Sequence, residues 1–220
     1  MLNEQNPTKQ RLLITFGKSG TLKYTSNLDL AKIWERVLRR ADLPLLYSQG
    51  FNTRPRIQLA SALPLGITSS CELIDVALRE GITLDGVRER LLAVSPSGLD
   101  IYTIETLDVQ HPTLQNLVES AEYRIHFEDA PDLALLRERI DQLLARKSII
   151  KETERKGRRH VTDLRPLIYG LEIDAGGDLI VQVAVGDHGN VRPDDVLTEL
   201  ALDHLHYSAH RQKLNLVKTR

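Results

Sequence analysis

A chain of 220 residues is long enough for one large domain or for two domains of about 100 residues each. Its 41% hydrophobic and 27% charged residues are typical of a globular protein, and no apolar run reaches the ~20 residues that a membrane helix needs. The single cysteine, Cys71, excludes an internal disulfide and a metal cluster held by cysteines alone. We therefore expect a cytoplasmic protein without a membrane segment.

The net charge of −1 conceals an uneven distribution of charge along the chain. Residues 9–60 hold ten Lys or Arg and three Asp or Glu, whereas residues 61–148 hold eight and fifteen. Residues 151–168 and the last ten residues are also basic. Basic zones of this kind allow a protein without a high pI to bind a polyanion. The alternative is that the charges only cover solvated faces.

The first half of the chain predicts the element order β-α-β-β-α-β. Ser26 is a helix cap with Asp29 three residues later, and apolar residues then recur at helical spacing until Pro44. The opposite face of this helix carries Lys32, Arg36 and Arg40. The predicted elements are strand RLLITFGK (11–18), the helix 26–44, strands RIQLASAL (56–63) and CELIDVALRE (71–80), helix LDGVRERLLAVS (84–95) and strand DIYTIETLDV (100–109).

The same order recurs after a polar joint near HPTLQN (111–116). The predicted elements are strand AEYRIHFE (121–128), helix PDLALLRERIDQLLARK (131–147), a long strand or hairpin over 149–174 with its turn at Lys156-Gly157, strand GDLIVQVAVG (177–186), helix RPDDVLTELALDHL (192–205) and strand SAHRQKLNLVK (208–218). These patterns predict an α+β fold of two tandem ferredoxin-like (βαββαβ) units with antiparallel sheets. The units would cover residues 9–110, with the basic loop GFNTRPR, and residues 120–220, with the elaborated hairpin.

The segment YSQGFNTRPR (47–56) has the composition of a ligand-binding loop. We expect its arginines to converge with those of the preceding helix on phosphate or carboxylate oxygens, and its aromatic residues to offer stacking surfaces. In the alternative, the loop arginines pair with Asp29, Glu35 and Asp42, and the loop phenylalanine packs into the core. The candidate anion contacts are Lys18, Arg36, Arg40, Arg54 and Arg56, and the candidate stacking residues are Tyr47 and Phe51.

Other motifs do not identify a catalytic or metal site. The stretch FGKSG is not a phosphate-binding P-loop, because that pattern requires glycine where this chain has Leu12. The histidines at 204, 206 and 210 lack a cysteine or carboxylate that would complete a familiar metal pattern, which favours surface or capping histidines. We predict no metal and no cofactor in this chain, and the residues leave open whether it is an enzyme.

Three spaced blocks resemble the radical SAM-linked protein family: KSGTLKYTSNLDL (18–30), RRADLPLLYSQGFNTRPRI (39–57) and LPLGITSSCE (63–72). The stretch VTDLRPLI, near position 165, is also similar. That family is a domain of unknown function encoded beside or fused to a cobalamin-binding radical SAM protein, commonly near a ribonuclease E/G gene. The residues at its motif positions are Lys18, Ser26, Asp29, Arg39, Arg40, Tyr47, Ser48, Gly50, Phe51, Pro55, Arg56 and Glu72. Asn27 replaces the family's usual histidine, which argues against transferring a catalytic role.

The resemblance implies an accessory role rather than radical chemistry in this chain, because radical SAM enzymes hold their cluster through three cysteines. The implied partner is a separate radical SAM protein. With the basic loop, this leads to the hypothesis of a module that binds RNA, for example tRNA or rRNA, or presents a substrate to that partner. One alternative is an enzyme acting on a small anion, with the pocket residues Ser26, Asp29 and Glu72 near the arginines. The other is a protein–protein adaptor.

Overall fold

The computed structural model describes residues 8–155, 157–186 and 189–217, and divides the chain into two compact units, residues 1–117 and 118–220. Both units are α+β, with antiparallel pairing between strands and few helices. The first unit contains β1 (Gln10–Lys18), a 3-10 helix (Gly20–Tyr24), α1 (Asn27–Arg40), β2 (Ile57–Leu59), β3 (Thr68–Leu78), α2 (Val87–Val94), β4 (Leu99–Leu107) and α3 (Leu114–Leu117).

The sheet of the first unit has the order β4-β1-β3-β2, and every pairing in it is antiparallel. Alternate residues of β1 and β3 point to one face, where they pack against both long helices. The ring of Phe16 meets Trp34 of α1 edge to face, with 4.9 Å between the ring centroids. The hydrophobic periodicity of α1 thus fixes its position over the sheet, which determines where its polar faces point.

The opposite face of this sheet holds an ion pair that the sequence patterns did not single out. Arg11 donates from Nε and Nη2 to the carboxylate of Asp75, and the two side chains are only 11% and 9% exposed. The Nη1 group of Arg11 also donates to three backbone carbonyls, those of Asp108, Val109 and His111. Arg11 therefore fastens the segment that follows β4 to the sheet.

We expect Arg11→Met to destabilise the protein by about 3–5 kcal/mol, because the substitution leaves the Asp75 carboxylate buried without its partner. The double variant Arg11→Met/Asp75→Leu, which removes both charges, should recover much of that loss. Chemical denaturation of the three proteins measures both effects. Equal stabilities of the wild type and the single variant would contradict this role of the pair.

The second unit contains β5 (Val118–Phe127), α4 (Leu133–Ala145), β6 (Ile150–Arg155), β7 (Arg158–Asp163), a 3-10 helix (Arg165–Leu167), β8 (Ile168–Ile173), β9 (Leu179–Ala184), α5 (Pro193–Glu199) and β10 (Tyr207–Leu216). Its main sheet has the order β10-β5-β9-β8, again antiparallel throughout. The strands β6 and β7 form a separate two-stranded hairpin. Asp163 closes the hairpin's base, since its Oδ1 accepts the backbone N–H groups of Ile149 and Arg165.

Several element boundaries differ from the expectation. The strand predicted over 56–63 ends at Leu59, because the chain turns away after the Ala60 N–H group bonds to the Leu73 carbonyl. The helix predicted over 192–205 ends at Glu199. Ala201 then has a positive φ of 54°, which is incompatible with an α-helix. The 3-10 helix before α1 and the short α3 were not predicted, because neither has enough residues to show a hydrophobic period.

Candidate functional site

The segment around Phe51 folds into a hairpin on the edge of β3. The Ser48 N–H group donates to the Arg54 carbonyl (2.8 Å), and the Arg56 N–H group donates to the Leu46 carbonyl (2.7 Å). In β3, the Ala77 carbonyl accepts a hydrogen bond from the Leu46 N–H group (2.9 Å), and the Ala77 N–H group donates to the Arg56 carbonyl (3.0 Å). We call residues 46–56 the Phe51 hairpin; its base is fixed to the sheet while its tip extends beyond the pairing.

The tip of the Phe51 hairpin is open to solvent. Phe51 is fully exposed, which excludes the alternative in which its ring packs into the core. Gly50 beside it has a φ of 122°, a conformation in which a side chain would be strained. Arg54 and Arg56 are both exposed, on either side of the buried Pro55. An aromatic ring and two guanidinium groups are therefore presented together on one short hairpin.

Tyr47 joins the hairpin to the last turns of α1. Its hydroxyl oxygen accepts a hydrogen bond from Arg39 Nε (3.0 Å), and the guanidinium lies 5.6 Å from the centre of its ring. This hydrogen bond raises the pKa of the Arg39 guanidinium above its usual value. Arg39 also forms an ion pair with Glu35 (2.5 Å). Arg39, which stands at a motif position of the family resemblance, thus orients the Tyr47 ring at the side of the hairpin.

Arg36 and Arg40 belong to a different surface from the hairpin arginines. They lie one turn apart on α1 and line a cleft of about 330 Å³ between α1 and the end of α2. Arg54 and Arg56 lie on the Phe51 hairpin and do not line this cleft, and the convergence of all four arginines on one anion stays a prediction. Among the residues that the structure describes, Arg54 and Arg56 form no ion pair with Asp29, Glu35 or Asp42; Asp29 is paired with Lys32 instead, and Glu35 with Arg39.

Two predicted site residues lie inside the protein instead of at its surface. Lys18 is fully buried at the end of β1, where its Nζ donates to the Thr25 carbonyl (2.9 Å). Glu72 on β3 is only 3% exposed. An anion at the surface cannot reach the Lys18 ammonium group, so Lys18 is not one of its contacts in this conformation. The sequence could not show this, because the charged end of a lysine more often remains in water.

Ser26 and Asp29 form the predicted cap of α1. Ser26 Oγ accepts the Asp29 N–H group (3.1 Å), and its hydroxyl donates to the Asp29 carboxylate (2.7 Å). The pKa of the Asp29 carboxyl lies below its usual value, first because of the hydrogen bond from Ser26 and then because of the hydrogen bond and the charge of Lys32. Both side chains are therefore engaged at the start of the helix, and neither lines the cleft that holds Arg36 and Arg40.

We expect Ser26→Ala to raise the pKa of Asp29 towards 3.8 and to lower protein stability by about 1 kcal/mol, because the helix loses its cap. Since the pKa of Asp29 is lowered in the folded state, its contribution is present above pH 3.8 and is lost as the pH falls through the folded-state pKa. NMR titration of the carboxyl and chemical denaturation measure the two effects. Lys32→Met is the control: it should also raise the pKa of Asp29, but without the loss of stability, because Ser26 still caps the helix. An unchanged Asp29 pKa in Ser26→Ala would contradict this assignment.

The second unit offers less for a ligand. In its basic β6–β7 hairpin, Arg159 is paired with Glu152 and Lys151 with Asp195; Lys156, at the predicted turn, lies outside the described residues. His204 and His206 are exposed. Within residues 8–155, 157–186 and 189–217, no three His, Cys, Asp or Glu side chains are grouped to hold a metal ion. Over those same ranges, no helix is both long and apolar enough to span a membrane.

Comparison with known proteins identifies the family. A family model described as "uncharacterized protein conserved in bacteria", DUF2344, matches residues 11–193. The chain belongs to DUF2344. No curated protein matches it. The matched range of DUF2344 includes the Phe51 hairpin and the cleft, and it extends well into the second unit.

Solved structures show only distant likeness to this DUF2344 protein. A chain of a Cbf5-Nop10-Gar1 complex is 14% identical over 92% of this chain and 48% of its own, with a TM-score of 0.47. A chain of an H/ACA RNP bound to a substrate RNA is 13% identical over 96% of this chain and 49% of its own, with a TM-score of 0.43. This protein thus spans about half the length of these chains. Likeness at this level carries no argument about function.

Proposed function

We propose that this protein binds single-stranded RNA through the Phe51 hairpin. The observation that carries the proposal is a fully exposed phenylalanine at the tip of a hairpin anchored to the sheet, with exposed arginines on the same arm. Aromatic rings that stack on bases, together with cations that contact the backbone, are the usual elements of single-strand binding. Phe51 and Tyr47 supply the rings, and Arg54 and Arg56 supply the phosphate contacts.

The surroundings of the hairpin favour a polyanion as its ligand. Residues 9–60 have a surplus of seven basic residues over acidic ones. Arg54 and Arg56 form no side-chain ion pair or hydrogen bond with any residue that the structure describes, so their forks are available to phosphate oxygens. Tyr47 is held in place by Arg39, which reduces the entropy lost when a base stacks on it.

The wider role we propose is that of an accessory protein that presents RNA, for example tRNA or rRNA, to a separate radical SAM protein in the cytoplasm. The family blocks at 18–30, 39–57 and 63–72 support this part of the proposal, since two of them contribute the hairpin and the start of α1. This chain would carry no cofactor of its own. We also propose that each unit is a ferredoxin-like βαββαβ unit, which the strand orders β4-β1-β3-β2 and β10-β5-β9-β8 support.

We expect Phe51→Ala to weaken binding of a fluorescently labelled single-stranded RNA by about 5- to 150-fold, because a stacked base contributes about 1–3 kcal/mol. Phe51→Trp should bind as well as the wild type or better. Phe51→Leu, which keeps an apolar tip without a π face, should bind nearly as weakly as Phe51→Ala. Fluorescence anisotropy measures all four proteins. Leu65→Ala, which also shortens an exposed apolar side chain of the first unit, is the matched control and should have no effect.

The salt dependence of the same binding tests the two arginines. Single-stranded phosphate contacts each contribute a slope of about −0.7 to log K against log salt, so Arg54→Gln/Arg56→Gln should make the slope shallower by about 1.4. Arg137→Gln/Lys147→Gln removes two exposed charges of the second unit and should leave the slope close to that of the wild type. If neither the Phe51 nor the arginine variants change RNA binding, the proposal is wrong. If Phe51→Leu binds like the wild type, the tip is an apolar docking point rather than a stacking one.

A further inference from the structure

The cleft between α1 and the end of α2 has no role in the RNA-binding proposal. Arg36 and Arg40 line it on the α1 side together with Ile33 and Val37, and Val94 and Pro96 line it on the other. Its volume of about 330 Å³ is at the small end of the range for small-molecule sites. It lies wholly within the first unit, and its arginines do not take part in the Arg39–Tyr47 contact that supports the Phe51 hairpin.

The two cations of the cleft differ from the other basic residues of α1. Lys32 is paired with Asp29, and Arg39 with Glu35. In contrast, the side chains of Arg36 and Arg40 make no hydrogen bond or ion pair anywhere in the described ranges. Like charges four residues apart on a helix repel each other. An anion between the two guanidinium groups would remove that repulsion and would satisfy their donors.

The lining of the cleft favours one class of anion. Two guanidinium forks carry a charge of about +2 and several donors in fixed planes, which match the dianionic group and three terminal oxygens of a phosphate monoester. A carboxylate, with one charge and two oxygens, would satisfy only one fork. The remaining walls are apolar at Ile33, Val37, Val94 and Pro96. Ser95 adds no free donor there, because its hydroxyl donates to the Leu91 carbonyl.

We infer that this cleft binds a phosphate monoester, with the phosphate held between Arg36 and Arg40 and the esterified group against the apolar wall. The phosphate could belong to a free small molecule or to the 5′ end of an RNA strand, since the recognising chemistry is the same. The inference stands independently of the Phe51 hairpin, because the two surfaces share no side chain.

Isothermal titration with phenyl phosphate tests the cleft directly. The wild type should bind phenyl phosphate about tenfold more tightly than inorganic phosphate, because only the ester reaches the apolar wall. Arg36→Gln/Arg40→Gln should lose about tenfold or more in affinity, because each charge-assisted hydrogen bond contributes on that scale. The matched control Lys32→Gln removes a charge from the same helix outside the cleft and should bind phenyl phosphate like the wild type. Thermal unfolding establishes that the variants are folded.

Two further comparisons identify the source of the phosphate and separate this site from the hairpin. If Arg36 and Arg40 hold an RNA end, the wild type should prefer a 5′-phosphorylated oligonucleotide to its 5′-hydroxyl form, and Arg36→Gln/Arg40→Gln should lose that preference. If they hold a free monoester, the wild type should bind phenyl phosphate but should not distinguish the 5′-phosphorylated oligonucleotide from its 5′-hydroxyl form. Phe51→Ala should leave phenyl phosphate binding unchanged in both cases. Equal affinity of the wild type and Arg36→Gln/Arg40→Gln for phenyl phosphate would overturn the inference.

Discussion

Three backbone hydrogen bonds among Leu46, Arg56 and Ala77 determine where the Phe51 hairpin stands. The carbonyl of Ala77 accepts the Leu46 N–H group of one arm, and the N–H group of Ala77 donates to the Arg56 carbonyl of the other. The two arms are also joined to each other, because the Arg56 N–H group donates to the Leu46 carbonyl. Since β2 pairs with β3 over only three residues, the edge of β3 is shared by both arms of the hairpin. Both arms are therefore held at their base, and the residues between them have no strand left to pair with.

Helix α1 connects this hairpin with the cleft. Its apolar stripe, centred on Trp34, is buried against the sheet, so the orientation of its other side chains is fixed by packing rather than by their own contacts. Arg39 then points towards Tyr47, while Arg36 and Arg40 face the end of α2. One amphipathic helix thus presents two cationic surfaces with different neighbours, one aromatic and one aliphatic. This difference in neighbours, more than the charge itself, separates the ligands that we propose for them.

The sequence predicted those features that rest on local rules. An apolar, β-prone composition identified β1, helical spacing identified α1, and the Ser26–Asp29 spacing identified the cap. Features that depend on distant contacts were not accessible. The fastening role of Arg11 requires Asp75 and the carbonyls after β4 to be adjacent in space, and nothing in the local pattern marks Lys18 as buried. The cleft lined by Arg36 and Arg40 was missed for the same reason, since it depends on the docking of α2.

Full exposure of Phe51 makes stability a poor explanation for a phenylalanine at that position. A side chain with the same solvent contact in the folded and unfolded states contributes nothing to folding through burial, whereas its whole apolar area, at about 25 cal/mol per Å², is available to a ligand. The backbone around it is specialised as well, because Gly50 holds a φ of 122°, in which a side chain would be strained, and the two arms are paired at their base. Arms that are paired in this way lower the ordering cost of binding relative to an unpaired loop, and this benefit arises only when a ligand contacts the ring.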